Sequence, residues 1–273
     1  MDNAAPSDKP SHTGLLRDET VALRWLFGYH DSTPKFPGPC LSGTRLQKTE
    51  MMDVIFFSID IDSLHEDEQT IQQVHIGIST LDTRSLQAFV MNHPDGAKPV
   101  MQMIESHHFV IGNSKFKRKK SKQFLFGPFE TLTLSGFKAH LDTLTSHRDI
   151  VLVFHGGDRE QWVLKRLNIN IQPLCIIDTV KAAQYPLQLS YRYSLEKLLH
   201  ELGIPFINLH IAGNDAHFVL RCLLMIAVRD AERHADTSAP PDWLLSTFRK
   251  IAQAPRPLFK AEVEGLAMSR QRK

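Results

Sequence analysis

The sequence predicts an α/β fold in which a mixed β-sheet is flanked by α-helices. A continuous apolar run that ends in two acids occupies Val54–Asp62, and an alternating apolar pattern follows at Val74–Leu81. A second apolar run, Ile150–Phe154, is followed by segments with helical spacing. Continuous apolar runs of this length are typical of strands that are buried on both faces. Strands first in a meander and then in alternation with helices indicate one mixed sheet with a helical cover.

The other strands are predicted from short apolar segments. They lie at Gln87–Val90 and Leu174–Ile177, with strands or extended arms at His107–Ile111 and Gln123–Phe126. The polar segment Ser63–Thr70 is predicted to be the loop after the first strand. Asp is disfavoured inside strands, so Asp60 and Asp62 are expected where the first strand leaves the core.

The helices are predicted from apolar residues that recur every three or four positions. They span Thr20–Gly28, Leu134–Ser146, Asp158–Leu167, Ser194–Gly203, Asn214–Arg229 and Asp242–Gln253. Ser194 is a preferred N-cap and Gly203 a preferred residue just beyond a helix end, so both ends of that helix are signalled. The segment Asn214–Arg229 is apolar on nearly every side, which predicts a largely buried helix.

Composition describes an ordinary soluble globular protein. Of the 273 residues, 42% are hydrophobic and 23% are charged, which allows one large domain with tails or two small ones. The net charge of +2 does not by itself indicate a nucleic-acid-binding protein. The three cysteines, Cys40, Cys175 and Cys222, are widely separated. Buried reduced thiols are therefore expected, and neither a disulfide framework nor a zinc site.

Four regions are expected along the chain. Residues 1–16 form a disordered tail, 17–50 a helix and an irregular arm packed on the domain, 51–232 the main domain, and 233–273 a linker, a C-terminal helix and a basic tail. No apolar segment is long enough to span a membrane, and residues 1–16 contain no signal-peptide core. We expect an intracellular protein of the cytoplasm or nucleus, without a membrane partner.

Four acids and a histidine stand at the ends of predicted elements. Asp60 and Asp62 point to the same face of their strand because they are two residues apart. Asp158 opens a helix after the second buried strand, and His210 and Asp215 stand at the start of the longest helix. Each acid alone has a simpler explanation, as a solvated strand end or as a partner of the helix dipole. Together they could supply oxygen ligands for two Mg2+ or Mn2+ ions and a base that activates water.

These residues form three motifs that resemble those of the DEDDh 3′–5′ exonucleases, a family with a ribonuclease-H-like fold. The first family motif, D-x-E, is similar to Asp60-Ile61-Asp62. The second, an Asp a few residues after a buried strand and often behind a His, is similar to His155-Gly156-Gly157-Asp158. The third, H-x-A-x-x-D, matches His210–Asp215 at every specified position. The resemblance covers Val54 to Arg229.

Shorter segments add to this resemblance. Two segments are similar to family landmarks, Ile176–Thr179 and Ser194–Leu199. Four others resemble a poorly characterised fungal group of the family: Ile78–Thr83, His108–Ile111, Phe124–Gly127 and Gly213–Ala216. The resemblance implies a metal-dependent exonuclease that acts on the 3′ end of RNA or DNA. It implies that Asp60, Asp62, Asp158 and Asp215 hold two Mg2+ or Mn2+ ions and that His210 is the general base. The choice of RNA or DNA, the need for a protein partner and the oligomeric state stay open.

Asp62 departs from the family pattern, which usually has Glu at this position. Asp is one methylene shorter, and octahedral Mg2+ tolerates misplaced ligands poorly. The site could be adjusted to Asp, could prefer Mn2+, or could be weakened. The alternatives to an exonuclease are therefore a catalytically weak or inactive module that binds nucleic acid or a protein partner, and, with the least support, a nucleotide-binding α/β enzyme.

A strongly basic run lies between two predicted extended segments. Its cations are Lys115, Lys117, Arg118, Lys119, Lys120 and Lys122. A run of this kind is a solvated hairpin tip, a nuclear import signal, or an arm that grips nucleic-acid phosphates independently of base sequence. Because a nuclease site is expected nearby, we predict a nucleic-acid-binding arm.

Overall fold

A mixed β-sheet forms the centre of the protein. The computed structural model describes residues 13–29, 43–66, 71–91, 100–112, 120–233 and 242–255. Within these residues the strands are β1 (Val54–Glu66), β2 (Ile71–Asp82), β3 (Ile104–Gly112), β4 (Glu130–Leu132), β5 (Asp149–Phe154) and β6 (Cys175–Asp178). They form one sheet in the order β4-β3-β2-β1-β5-β6. Strand β1 pairs antiparallel with β2 and parallel with β5.

Helices cover both faces of this sheet. They are α1 (Asp18–Phe27), α2 (Thr83–Met91), α3 (Leu134–Thr145), α4 (Asp158–Arg166), α5 (Thr179–Ala182), α6 (Gln184–Leu187), α7 (Leu195–Glu201), α8 (Ala212–Arg233) and α9 (Asp242–Ala252). Val54 and Phe56 of β1 share a core with α8, whereas Phe57 and Ile59 share one with α3 and α4. This alternation is what a strand buried on both faces requires. The predicted mixed sheet flanked by helices is confirmed.

The predicted ends of the helix at Ser194–Gly203 are also confirmed, and this helix is α7. The Ser194 hydroxyl accepts a hydrogen bond from the Lys197 N–H at 3.3 Å, which caps α7. Gly203 lies just beyond that helix with a φ of 64°, a backbone conformation that glycine adopts without strain. The segment around Asn214 is buried as predicted, and it extends to a helix of 22 residues.

The strand predicted at Gln87–Val90 is wrong, because these residues belong to α2. Thr83 at the start of α2 is fully buried, and its hydroxyl accepts from the Val54 N–H at 3.0 Å and donates to the Val54 carbonyl at 2.8 Å. These bonds turn the chain out of β2 directly into a helix. The apolar residues Leu86 and Phe89 then have the spacing of one helical face.

Two further segments differ from the prediction. Strand β1 continues through Ser63 to Glu66, because its pairing with β2 persists beyond Asp62 across a register shift. The predicted loop therefore begins later, and residues 67–70 lie outside the described residues. The segment Gln123–Phe126 forms no strand in the structure. It follows a 3₁₀ turn at Ser121–Gln123, and the Leu125 N–H donates to the Asn214 side chain at 2.9 Å.

Two expectations from composition bear on the described residues. Cys175 and Cys222 are buried free thiols, as predicted, and Cys40 lies outside the described residues. Among the helices of the described ranges, none combines the length and the apolar character that crossing a membrane requires.

Candidate active site

Asp60 and Asp62 lie on β1 beyond the end of its neighbour β5. Strand β5 pairs with β1 only from Val54 to Ser58, whereas β2 pairs with β1 as far as Glu66. Among the described residues, no strand pairs with β1 on its β5 side at the two acids. Both acids are on the same face of β1 as Val54 and Phe56, because residues two apart share a face. That face is covered by α8.

Gly77 allows the start of α8 to approach the acids. It pairs with Asp60 across β1 and β2. A Cβ atom built on Gly77 would lie 2.0 Å from the backbone carbon and oxygen of Ala212, the first residue of α8. Only a residue without a side chain fits this contact. The glycine thus places the first turn of α8, which carries Asp215, against the strand pair that carries Asp60.

We expect Gly77→Ala to destabilise the protein by about 3 kcal/mol or more, because backbone atoms must move to admit the methyl group. Chemical denaturation followed by circular dichroism measures this change. Gly136→Ala is the control, since its added Cβ would meet only the Thr133 hydroxyl oxygen at 3.3 Å. That variant should stay within about 1 kcal/mol of the wild type. Equal stability of both variants would contradict the close-packing argument.

Asp215 and His210 are joined by the backbone. The His210 N–H donates to both carboxylate oxygens of Asp215, at 3.2 and 3.0 Å. His210 has a φ of 65°, an uncommon conformation for a residue other than glycine, and its side chain is exposed. Asp60, Asp215 and His210 line one cavity of about 130 Å³. The structure therefore brings Asp60 together with His210 and Asp215, which are distant from it in the sequence.

Glu160, and not Asp158, is the acid of α4 that acts on Asp60. Asp158 begins α4 as predicted, but its side chain is exposed and lines a different cavity of about 580 Å³, together with Asp178. Glu160 is partly buried, its charge acts on Asp60, and it interacts with the backbone of Ile61. The expectation that Asp158 lines the same cavity as Asp60 is not met, and sequence reasoning missed Glu160.

A helical pattern could have identified Glu160. Val163 and Leu164 are buried against the sheet, and they lie three and four residues after Glu160. Residues with this spacing share a helix face. Asp158 instead shares a face with Trp162, which is 48% exposed. The helix therefore turns Glu160 towards β1 and Asp158 towards solvent.

The carboxylates of this cluster repel one another in a site with little water. Burial raises the pKa of Asp60 well above its usual range, and the charges of Asp215, Glu160 and Asp62 raise this pKa further. Burial raises the pKa of Asp215 to about 7, and the charge of Asp62 acts in the same direction. Burial is also the main cause that raises the pKa of Glu160. The cluster holds more negative charge than it can keep ionised without a cation.

The comparison with known families now identifies the chain. Residues 55–226 match the family model DEDDh_C, described as DNA polymerase III subunit epsilon-like, C-terminal domain. The match covers more than half of the 273 residues. The chain belongs to the DEDDh exonuclease family. The resemblance of the sequence motifs is thereby confirmed, and the mixed sheet with helices on both faces is consistent with the ribonuclease-H-like fold. No curated protein matches the chain.

Membership of the DEDDh family implies a nucleic-acid substrate and a nuclease reaction. The matched span contains most of β1, all of α4 and most of α8, and it includes Asp60, Glu160, His210 and Asp215. The nearer resemblance to a fungal group stays a prediction, as does the extent of the domain.

His155 and Asp178 hold the loop between β5 and α4. The His155 Nε2–H donates to the Tyr193 carbonyl at 3.1 Å, and the His155 Nδ1 lies 2.9 Å from the Thr179 hydroxyl. The Asp178 carboxylate accepts from the N–H groups of Gly156 and Val180, both at 2.9 Å. These bonds fix the turn from which α4 starts. The family landmarks around them therefore have a structural role beside the cluster.

The donor set of the cluster fits hard divalent cations, since Mg2+ and Mn2+ prefer carboxylate oxygens. Asp60, Glu160 and Asp215 supply such oxygens, and burial raises the pKa of each of them. In the part of the chain that the structure describes, however, no three His, Cys, Asp or Glu side chains surround a common point closely enough to hold an ion. A cation of the protein, the Lys120 ammonium, contacts Asp62 instead.

The basic run lies mostly outside the described residues. Its first four cations, Lys115, Lys117, Arg118 and Lys119, are not described. Lys122 is exposed on the 3₁₀ turn, whereas Lys120 points to the acidic cluster. A nucleic-acid-binding arm therefore stays a prediction for this run.

We expect the stability of the metal-free protein to fall as pH rises. The pKa of Asp215 is raised in the folded state, so its favourable contribution is fully present below the ordinary Asp pKa and is lost as pH rises through about 7. Between pH 5 and pH 8, in EDTA, the free energy of unfolding should fall by up to about 1 kcal/mol per pH unit.

Asp215→Asn should reduce this dependence without removing it, because the amide does not ionise and still accepts from His210, whereas Asp60 and Glu160 keep their raised pKa values. Urea denaturation at several pH values checks both expectations. A wild-type protein that is equally stable at pH 5 and pH 8 would contradict the raised pKa.

Proposed function

We propose that this protein is a metal-dependent 3′–5′ exonuclease that hydrolyses RNA or DNA from the 3′ end. The observation that carries the proposal is the shared cavity of Asp60, Asp215 and His210. Glu160 adds a further carboxylate from α4. Membership of the DEDDh family supplies the reaction class.

The carboxylates have the role of holding divalent cations. We assign ion binding to Asp60, Asp215 and Glu160, with Glu160 in the role that the sequence predicted for Asp158. Mg2+ or Mn2+ bound there would lower the pKa of the attacking water and stabilise the charge on the leaving oxygen. The acidic side chains themselves orient that water by accepting its hydrogen bonds.

His210 has the role of general base. Its side chain is exposed at the cavity that Asp60 and Asp215 line, and its backbone is held by Asp215. A histidine with access to solvent can take a proton from the attacking water and release it. The backbone bond to Asp215 couples the position of the base to that of an ion-binding carboxylate.

The cavity itself favours the end of a strand. At about 130 Å³ it has room for a phosphate and part of a sugar, and two apolar side chains, Leu195 and Leu209, line it beside the acids. A 3′-terminal nucleotide, whose phosphate and sugar are free of a following residue, would fit this space.

Hydrolysis of labelled strands tests the proposal. Single-stranded RNA and DNA that carry a 5′ label are incubated with Mg2+, Mn2+ or EDTA. We expect a ladder that shortens one nucleotide at a time from the 3′ end, with either ion and not with EDTA. A strand whose 3′ end is blocked by a phosphorothioate cap is the control and should resist. Internal cleavage, or no cleavage with either ion, would contradict the proposal.

A binding module without catalysis is the second candidate. The observation that favours it is the contact of Lys120 with Asp62, which leaves that carboxylate paired with a cation of the protein. Such a module would retain labelled RNA or DNA in a gel-shift assay and leave it uncut with either ion.

A further inference from the structure

Lys120, whose side chain is 41% exposed, places a positive charge at the edge of the acidic cluster, beside Asp62. Its Nζ donates to the Asp62 Oδ2, and the Asp62 Oδ1 accepts from the Ser63 N–H at 2.6 Å. Both oxygens of Asp62 are thus engaged within the protein. The charge of Lys120 also acts on Asp215, where it opposes part of the rise in pKa that burial causes. The ammonium therefore contacts one carboxylate of the cluster and acts electrostatically on a second.

A buried hydrogen-bond network holds the chain next to Lys120. Ser121 is 1% exposed, and its hydroxyl lies 3.2 Å from the His108 Nε2 and 3.4 Å from the His75 Nδ1. The Gly213 N–H donates to the His108 Nδ1 at 3.1 Å, so the His108 Nε2 carries the proton and donates to Ser121. Burial lowers the pKa of both histidines, which are therefore neutral near pH 7.

The same segment is tied to the first turn of α8. The Asn214 side chain accepts from the Leu125 N–H at 2.9 Å and donates to the Gln123 carbonyl at 3.2 Å. Phe124 packs so closely on Gly213 that an added Cβ would lie 2.6 Å from its ring. Asp215 belongs to this turn. Lys120 and Asp215 are thus positioned by one connected set of buried contacts.

We propose that the Lys120 ammonium is a resident cation of the active site that replaces one of two divalent ions and leaves a single-ion site at Asp60, Asp215 and Glu160. This inference rests on the proposed function. An ammonium in contact with a carboxylate repels a divalent cation from the same oxygens. Asp62 stands where the family usually has the longer Glu, and its carboxylate contacts this ammonium. The lysine would then donate to a phosphate oxygen of the substrate as negative charge develops there.

The number of bound ions tests this inference without a substrate. Mn2+ binding is measured by isothermal titration calorimetry and by electron paramagnetic resonance of the free ion. We expect one ion per wild-type chain, two per chain in Lys120→Met, and one in Lys120→Arg, which keeps the charge. Lys122→Met, in the same segment, should leave the count at one. The rate of strand hydrolysis should fall at least about tenfold in Lys120→Met, because phosphate stabilisation is lost.

Several results would overturn the inference. A wild-type count of zero or of two Mn2+ ions does so directly, even if the Lys120→Met protein does not fold. If a folded Lys120→Met protein still binds one Mn2+ ion per chain, the contact between Lys120 and Asp62 is only a surface ion pair. A higher count with faster hydrolysis makes the lysine an inhibitor of the site. Because the count needs no substrate, expected counts without hydrolysis by the wild type would contradict only the proposed function.

Discussion

Asp60→Asn should abolish hydrolysis, lowering the rate by at least about a hundredfold. Changes in residues that only support metal ligands typically cost about 10- to 100-fold, and Asp60 lies at the centre of the cluster. The charges of Asp215, Glu160 and Asp62 all act on it. Under the proposed function, loss of its negative charge removes an ion-binding group on which three neighbouring carboxylates act. Stepwise shortening of a 5′-labelled strand in Mg2+ or Mn2+ measures the effect.

The same variant should be more stable than the wild type in EDTA. Burial and neighbouring charges raise the pKa of Asp60 well above its usual range, so a neutral amide of the same shape relieves repulsion. We expect a higher melting temperature at pH 8 together with the loss of activity. Asp142→Asn, an exposed acid of α3, is the control and should change neither quantity. An Asp60→Asn protein that keeps its activity would contradict the proposed site.

Glu160→Gln should lower the hydrolysis rate by about a hundredfold, whereas Asp158→Asn should lower it by less than about fivefold. The two acids are two residues apart on α4, so each variant is the matched control of the other. Glu160 acts on Asp60 and interacts with the backbone of Ile61. Asp158 is exposed and lines another cavity. Because both residues are carboxylic acids on the same helix, a difference between the two variants reports the direction in which each side chain points.

Mn2+ affinity separates a loss of ion binding from a loss of folding in this pair. Glu160→Gln should weaken binding, and Asp158→Asn should leave it unchanged. Circular dichroism should show equal helix content in both proteins. If Asp158→Asn lowered the activity more than Glu160→Gln, Asp158 would be the acid of α4 that belongs to the site, as the sequence motif predicted.

Local patterns predicted much of this protein correctly. The apolar run of β1, the cap at Ser194 and the order of the three motifs depend on residues close together in the chain. The third motif is an example, because the backbone bond between His210 and Asp215 joins residues only five apart. Local reasoning was wrong for α2, where buried Thr83 bonds to Val54 from 29 residues away and sets the helix start. A short apolar segment has no strong preference of its own, so the distant contact decided.

The sequence by itself determined the fold class, the DEDDh motifs and the two acids of β1. These depend on the periodicity of apolar residues and on spacing along one element, which a chain carries whatever its partners are. Only the tertiary structure decided which acid of α4 meets Asp60 and which cation meets Asp62. The first depends on the side of α4 that packs on the sheet. The second depends on β2, β3 and α8, whose buried groups hold Ser121 and thereby place Lys120 in the site.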